Sequence, residues 1–163
     1  MNIFVLSLEP KEAAQWHMDR HVVKMPLESA QMLCTALYHH GYSSPYKPAH
    51  KNHPCTLWAA KSRSNFIWLC RLGLELCGEY TFRYKKEHKS GEVISFCKDM
   101  RILIPDGPLT SFAQAMPDEY KDACPLKAYR EYYRKGKSHL ASWKDREEPW
   151  WYKDDSKKAV LGD

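Results

Sequence analysis

The stretch Leu27-Glu28-Ser29-Ala30-Gln31-Met32-Leu33-Cys34-Thr35-Ala36-Leu37-Tyr38 decides the fold. Its apolar residues recur at steps of three and four, which is the period of one face of an α-helix. Gly41 follows shortly afterwards, and glycine commonly stands just beyond the end of a helix. The stretch therefore predicts a helix with one face buried in a core.

Similar helical patterns follow this stretch along the chain. Residues 42–54 contain three prolines and form a loop, and residues 56–88 then predict the longest helix, with one break at Ser62 or Ser64. Gly91 is expected to close that helix. Residues 92–100 and 125–135 predict further helices, whereas residues 105–117 are irregular. The whole chain, residues 1–163, is predicted to be all-α, a compact single-domain helical bundle whose tail frays from about residue 154.

The N-terminal part leaves two alternatives open. Residues 3–6 are apolar and form either a strand or an extended segment tucked under helices, and one strand cannot build a sheet alone. Ser7, Pro10 and Glu12 predict the start of a helix that runs to about Met18. Pro26 either kinks that helix or opens the next, so residues 19–25 are expected at a helix junction.

Composition narrows the class of protein. Hydrophobic residues make up 44% of the 163 residues, enough for a real core, and no apolar run approaches the roughly 20 residues that span a bilayer. The N-terminus lacks the features of a secretory signal, and the six widely spaced cysteines include no Cys-x-x-Cys pair, so free thiols and a cytoplasmic location are expected. A net charge of +5 favours an anionic partner such as DNA, although a solvated basic surface explains it equally well.

The segment Asp19-Arg20-His21-Val22-Val23-Lys24, preceded by His17, is the first candidate site. On one continuous helix His17, His21 and Lys24 would share a face. Crowded imidazole and ammonium groups lose proton affinity, which gives an enzyme a neutral base or a reactive amine near pH 7. The alternative is a charged stripe on the surface of a helix.

The segment His50-Lys51-Asn52-His53-Pro54-Cys55 is the second candidate. It stands just before a helix, where free amide groups attract anions, so it predicts a phosphate-binding loop. The alternative is a structural loop. A zinc site formed by His17, His21, His53 and Cys55 was also considered, but the Glu of a His-Glu-x-x-His motif is absent, and we predict neither a metal nor another cofactor.

The C-terminal segment from Trp143 to Lys153 interleaves aromatic and charged residues. Such a pattern is typical of surfaces that stack on bases and contact phosphates, and it is also typical of a tail that docks on a core. The predicted nucleic-acid-binding residues of the whole chain are Arg20, His50, Lys51, Arg63, Arg83, Lys85, Trp143, Lys144 and Trp151.

Two resemblances follow from these motifs. The opening Met1-Asn2-Ile3-Phe4-Val5-Leu6, the segment Asp19-Arg20-His21-Val22-Val23-Lys24-Met25 and the segment His50-Lys51-Asn52-His53-Pro54-Cys55 with Trp58 resemble a family of small bacteriophage proteins over most of the chain. This resemblance implies a phage origin, and with it the cytoplasm of the host cell, but no mechanism.

Over about a third of its length the chain also resembles the phage pyrimidine-dimer DNA glycosylases of the endonuclease V type. The similar features are His17-Met18 followed by Pro26, and Trp151-Tyr152-Lys153. The resemblance implies a compact helical enzyme that cuts the glycosidic bond at a damaged base. In that family the nucleophile is the N-terminal amine of a small residue exposed by removal of methionine.

The sequence departs from that family at the nucleophile and at the catalytic carboxylate. Asn2 is a poor context for removal of Met1, and the family's catalytic Glu falls near Lys24, so the amine would be that of Lys24 or of Met1. The nearest acids are Asp19 and Glu28. The predicted function is that of a DNA glycosylase/lyase-like enzyme in which His21 or Asp19 transfers protons. One alternative is a base- or nucleotide-modifying enzyme. The other is a non-catalytic nucleic-acid-binding or host-interacting protein. The predicted catalytic residues are Lys24, His21, Asp19, His53 and Met1. Nothing in the sequence indicates an oligomeric state.

Overall fold

Helix α2 (Asp19–His39) packs against most of the other helices in the computed structural model, which describes residues 1–152. No strand occurs in this described part, so the predicted all-α single-domain fold is confirmed. A π-helical turn, Tyr132–Gly136, continues the last α-helix. The remaining α-helices are α1 (Pro10–Trp16), α3 (Pro54–Lys61), α4 (Arg63–Tyr84), α5 (Ser90–Asp99) and α6 (Pro125–Glu131). The predicted fraying from residue 154 and the role of Lys153 lie outside the described residues.

Several helix ends stand where the sequence predicts them. Gly41 follows α2 with φ +87°, a conformation that suits glycine. Ser62 separates α3 from α4, and its hydroxyl accepts a hydrogen bond from the Asn65 amide as an N-cap. The prediction for residues 85–91 is wrong, because Lys85 ends α4 in the left-handed conformation and Gly91 lies inside α5.

The predicted helix junction at residues 19–25 is also wrong. The chain breaks earlier, at His17 and Met18, which both have extended backbone, and Pro26 lies within α2. Proline has no amide hydrogen, so the Val22 carbonyl four residues earlier receives no helical hydrogen bond. The helix nevertheless continues, because residues on both sides of the proline, such as Met25 and Ala30, are buried in the core and this packing stabilises it. His17 therefore precedes α2 and does not share its face with His21 and Lys24.

The segment before α1 is buried but is not a strand, so the second alternative for residues 3–6 holds. Asn2 shapes it: the Asn2 Oδ1 atom accepts hydrogen bonds from the amides of Ile3 (2.8 Å) and Phe4 (3.2 Å), and Nδ2 donates to the Ala115 carbonyl (2.7 Å). Phe4 has φ +32°, a strained value for a residue with a side chain. This turn carries the Met1 side chain into the protein, where it is 3% exposed.

Arg83 joins α4 to the junction between α1 and α2. Its guanidinium donates to Glu79 Oε1 (2.8 Å), to Asp19 Oδ1 (2.9 Å) and to the carbonyls of His17 and Gln15. Arg83 is 1% exposed, so its predicted contact with nucleic acid is wrong: the side chain is consumed by the fold.

The partners of Arg83 remain ionised carboxylates. Burial alone would raise the pKa of Glu79, but hydrogen bonds from Arg146 and Arg83 outweigh burial and lower it. Burial likewise opposes ionisation of Asp19, and hydrogen bonds from Ser142, the Lys144 amide and Arg83 lower its pKa. The network therefore pairs the buried charges of Arg83 and Glu79 with the partly exposed charges of Asp19 and Arg146.

Two further expectations concern the whole chain. Cys34, Cys55, Cys70, Cys77, Cys97 and Cys124 are free thiols in the structure. No helix of the described part is long and apolar enough to cross a membrane.

Replacement of Arg83 by methionine should destabilise the protein by about 3–5 kcal/mol, because the buried Glu79 carboxylate loses one of its two cations and the carbonyls of His17 and Gln15 lose a charged donor. The matched control is Arg71→Met, since Arg71 forms a surface ion pair with Glu9 that should contribute less than about 1 kcal/mol. The measurement is the free energy of unfolding in urea. Equal losses for the two variants would contradict the role assigned to Arg83.

Candidate active site

A cleft of about 450 Å³ opens between the N-terminal segment, the first half of α2 and the loops around residues 53, 115 and 121. We call it the N-terminal cleft. Most of the ionisable groups that line it are basic, and Glu28 is the one carboxylate of the lining: the set is Met1, His21, Lys24, Glu28, His53, Lys121 and Lys137.

The α-amine of Met1 is paired with Glu28 in this cleft. The amine nitrogen lies 3.1 Å from Glu28 Oε1, and the Glu28 side chain is 7% exposed. The Lys24 ammonium lies 3.6 Å from the other carboxylate oxygen, but the Lys24 side chain is 69% exposed. Glu28 Oε2 accepts no hydrogen bond from the described residues. The cleft thus combines the α-amine of a partly buried Met1 with a buried carboxylate, one oxygen of which accepts no hydrogen bond from the described residues.

His21 lies beside this pair and is held on two sides. Its ring stacks on Phe4 with centroids 4.3 Å apart, and Nδ1 lies 2.6 Å from the Tyr133 hydroxyl. Burial, together with the charges of His17, Lys137 and Lys24, lowers the pKa of His21 to about 3. His21 is therefore a neutral imidazole at physiological pH.

His17 is neutral as well but stands outside the cleft lining. Burial lowers its pKa to about 4, and its Nδ1 lies 2.6 Å from the Ala13 carbonyl, to which only a protonated nitrogen can donate. The ring thereby completes the end of α1.

His53 reaches the cleft from the start of α3. Its Nδ1 accepts a hydrogen bond from the Cys55 amide (3.1 Å), so His53 is the N-cap of that helix and occupies one of the amides predicted to bind phosphate. Burial, the Met1 amine and His50 lower the pKa of His53. Burial raises the pKa of the neighbouring Cys55 thiol to about 12.

The residues of the zinc site suggested by the sequence do not converge. Within residues 1–152 no three His, Cys, Asp or Glu side chains are placed to hold a metal ion together. One ring nitrogen of His17 and one of His53 instead form hydrogen bonds within the chain.

Of the predicted catalytic residues, the structure brings His21, Lys24, His53 and Met1 together in one cleft, although about thirty residues separate the two motifs. Asp19 is the exception and needs correction. Its carboxylate accepts hydrogen bonds from Arg83, Ser142 and the Lys144 amide, and it does not line the cleft.

Some of the predicted nucleic-acid-binding residues are exposed, whereas others form hydrogen bonds within the fold. Arg63 donates to the carbonyls of Ile102 and Ile104, both at 3.2 Å, so most of its guanidinium serves the fold. Five of the predicted residues are exposed, and they lie outside the lining of the N-terminal cleft: Arg20, His50, Lys51, Lys85 and Lys144.

The two predicted aromatic contacts belong to tail docking. Trp151 is 2% exposed, and the half-buried Trp143 donates its indole N–H to the Trp16 carbonyl (2.8 Å). The prediction that bases stack on Trp151 is therefore wrong. Both tryptophans anchor the C-terminal segment on the core, as the alternative interpretation predicts. Trp150 is the exposed tryptophan of this segment, at 62%.

Sequence reasoning did not assign Glu28, Lys121, Lys137 or Tyr133 to the site. Glu28 had a signal, the Lys24-to-Glu28 spacing of four, which becomes informative once α2 is continued through Pro26. Lys121 and Lys137 follow irregular segments far along the chain, and no local pattern connects them to α2.

Comparison of the chain with known protein families, with curated proteins and with solved structures found no match.

Both buried histidines should make stability depend on pH. The pKa of an unfolded histidine is about 6.5, whereas burial lowers the pKa of His17 to about 4 and that of His21 to about 3. Below pH 6.5 the unfolded state therefore binds more protons, and the free energy of unfolding falls as the pH falls. We expect a loss of about 2 kcal/mol per histidine between pH 7 and pH 5, measured by urea denaturation.

The control separates histidine from carboxylate titration. The lowered pKa values of Asp19 and Glu79 affect stability mainly as the pH falls below the ordinary pKa values of these carboxyl groups, 3.8 and 4.5, which lie beneath this window. His21→Gln should remove about half of the pH dependence, and a variant with the full dependence would contradict the assignment.

Proposed function

We propose that this protein is a phage DNA-acting enzyme of the glycosylase/lyase kind, which attacks the sugar of a damaged or modified nucleotide with the α-amine of Met1. The observation that carries the proposal is the amine–carboxylate pair, 3.1 Å apart, inside a cleft whose other charged groups are basic. Amine nucleophiles in enzymes are activated by an adjacent general base and by cationic neighbours.

The pair suits displacement of a base. The deprotonated amine nitrogen forms a bond to C1′ while the glycosidic bond breaks and leaves its electron pair on the base, which takes up a proton. The amine then loses a proton to the Glu28 carboxylate, and opening of the sugar ring at O4′, which is protonated, leaves an iminium at C1′. Glu28 has a free buried oxygen that can take part in these transfers.

The structure favours the Met1 amine over Lys24 as the nucleophile. The Met1 amine is held in the cleft by its ion pair with the buried Glu28 carboxylate, whereas the Lys24 side chain is 69% exposed and lies further from that carboxylate, at 3.6 Å. A fixed nucleophile needs less ordering in the transition state. Lys24 is better suited to bind a phosphate at the cleft edge.

Charge and size support a nucleotide as the ligand. Lys24, Lys121 and Lys137 surround the opening, and cations in this arrangement bind phosphates. A volume of about 450 Å³ is in the range of sites for one small molecule, as required for a nucleotide turned out of the DNA stack. The same charges also fit a base- or nucleotide-modifying enzyme. Such an enzyme would not form the covalent iminium intermediate that the proposed mechanism requires.

Incubation with DNA duplexes that contain an abasic site, a pyrimidine dimer or a modified base should, with borohydride, yield a covalent protein–DNA adduct. Reduction converts the iminium to a stable secondary amine, whereas an oxygen nucleophile leaves nothing to reduce. Mass spectrometry of the N-terminal peptide should place the added sugar on Met1.

Three variants locate the nucleophile. Enzymatic N-terminal acetylation should abolish the adduct, Glu28→Gln should reduce its rate by a factor of about 100 or more, and Lys24→Ala should retain it. Loss of the adduct in Lys24→Ala, with the acetylated protein still active, would assign the reaction to Lys24. Absence of an adduct with all three duplexes would exclude the glycosylase proposal.

DNA binding through the cleft should depend steeply on salt. Lys121→Ala and Lys137→Ala should each reduce the slope of log K against log[salt] by about 0.9, because one phosphate contact is lost in each. Lys11→Ala, an exposed lysine outside the cleft, is the matched control and should leave the slope unchanged. Absence of binding at low salt would favour a host-interacting protein.

A further inference from the structure

Two thiols that take no part in the proposed mechanism lie in contact between α2 and α5. The sulfur atoms of Cys34 on α2 and Cys97 on α5 are 3.7 Å apart. All six cysteines lie in the described part of the chain, and no other two of them have sulfur atoms within hydrogen-bonding distance. Both side chains are buried, so the packing of the two helices holds the sulfur atoms against each other.

This contact is close enough for a covalent bond to form between the two sulfur atoms. A disulfide has a sulfur–sulfur distance of about 2.0 Å, so the atoms would have to approach each other by about 1.7 Å. Rotation of the two side chains can share this approach, because α2 and α5 already pack directly on each other. Buried cysteines often serve only as small apolar residues, which is the alternative that the test below must exclude.

The contact also makes the two thiols chemically unequal. Hydrogen bonding to Cys97 lowers the pKa of Cys34 and outweighs burial, and hydrogen bonds with Ser44 and the backbone of Tyr46 add to this effect. The same contact with Cys34 raises the pKa of Cys97. Cys34 is therefore the thiol that loses its proton first, and the thiolate is the nucleophilic form of cysteine.

The loop between α2 and α3 lies against Cys34 and is loosely held there. The Ser44 hydroxyl donates to the Cys34 carbonyl (3.4 Å), and the hydroxyls of Tyr46 and Ser90 are 3.3 Å apart. Both contacts are long, and residues 42–50 contain no helix or strand. Segments of this kind open locally at a lower free energy than core helices, which gives a small oxidant a route to Cys34 without global unfolding.

We propose that Cys34 and Cys97 form a modification site, a dithiol that hydrogen peroxide oxidises to a disulfide between α2 and α5. The Cys34 thiolate attacks one peroxide oxygen, and the O–O bond breaks with its electron pair on the departing hydroxide, which takes up a proton to become water. The Cys97 sulfur then attacks the resulting Cys34 sulfenic acid, and the S–O bond breaks. The released hydroxide leaves as water with the proton of Cys97.

The overall reaction oxidises two thiols and reduces one peroxide to two molecules of water. It does not depend on the proposed function, because neither cysteine lines the N-terminal cleft. The new bond would close a long loop of chain from α2 to α5, which restricts the unfolded state and stabilises the fold. A thiol reductant reverses the reaction by exchange.

Treatment of the folded full chain with hydrogen peroxide should remove the mass of two hydrogen atoms. Peptide mapping without reduction should join the peptides that contain Cys34 and Cys97, and dithiothreitol should restore the free thiols. The melting temperature should rise by about 10 °C on oxidation and return on reduction. Tyr46→Phe, which removes the hydroxyl that contacts Ser90, should oxidise faster because the loop opens more readily.

Serine variants assign the order of the two steps. Cys97→Ser should accumulate a sulfenic acid on Cys34 that dimedone traps, whereas Cys34→Ser should give no dimedone adduct at Cys97. Cys70→Ser is the matched control, since Cys70 is equally buried and has no thiol partner within hydrogen-bonding distance, and it should form the disulfide as the wild type does.

Three results would overturn the proposal, and two of them need no variant. The first is a folded wild type that keeps both thiols under peroxide, and the second is a disulfide that forms only in urea. Either would show that the contact serves packing alone. The third is a disulfide that joins Cys97 to Cys70, which also lies near it.

Discussion

The buried guanidinium of Arg83 is the interaction on which the arrangement of the helices depends. It reaches the carbonyls that end α1, the Asp19 carboxylate that begins α2, and Glu79 on its own helix. A guanidinium can satisfy this many acceptors in one plane, which a lysine ammonium could not. Because the first turn of α2 is fixed in this way, the positions of His21, Lys24 and Glu28 along that helix are fixed with it.

The second constraint is the N-terminal turn, which acts from the opposite side of the same site. Asn2 binds two following amides and the Ala115 carbonyl, and Phe4 accepts an unfavourable backbone conformation. Strain of this kind persists where the surroundings over-determine it. Here the result is that an α-amine, which is usually solvated at a chain end, lies against a buried carboxylate.

The sequence predicted the elements better than their relations. Gly41 and Ser62 stand at helix ends because of the backbone conformation of glycine and the capping hydroxyl of serine, and both properties depend on the residue type alone. Pro26 was misleading because the helix is stabilised across it by the burial of residues on both sides, such as Val22 and Ala30, and packing of this kind is a tertiary effect. Arg83 and Trp151 carry residue types common at DNA interfaces, but only the fold reveals that both are buried.

The same distinction applies to the site. His21, Lys24 and His53 were identified as residue types in suggestive positions, and the structure adds the groups that give them different roles. Burial leaves His21 a neutral imidazole, and His53 uses one ring nitrogen to cap α3. The sequence indicates Glu28 only as a nearby acid, because its pairing with the α-amine of Met1 arises from the folding of the chain.

The charge pattern of the cleft limits what chemistry it can perform. Lys24, Lys121 and Lys137 contribute positive charge at the opening, and neutral His21 contributes a donor within it, so Glu28 is the one carboxylate available in the lining to receive a proton. The carboxylate lies 3.1 Å from the α-amine, so the proton that this nitrogen must lose before it can act as a nucleophile has an acceptor in place. The strained turn at residues 2–4 holds the amine in this position, and such positioning is what the proposed reaction requires.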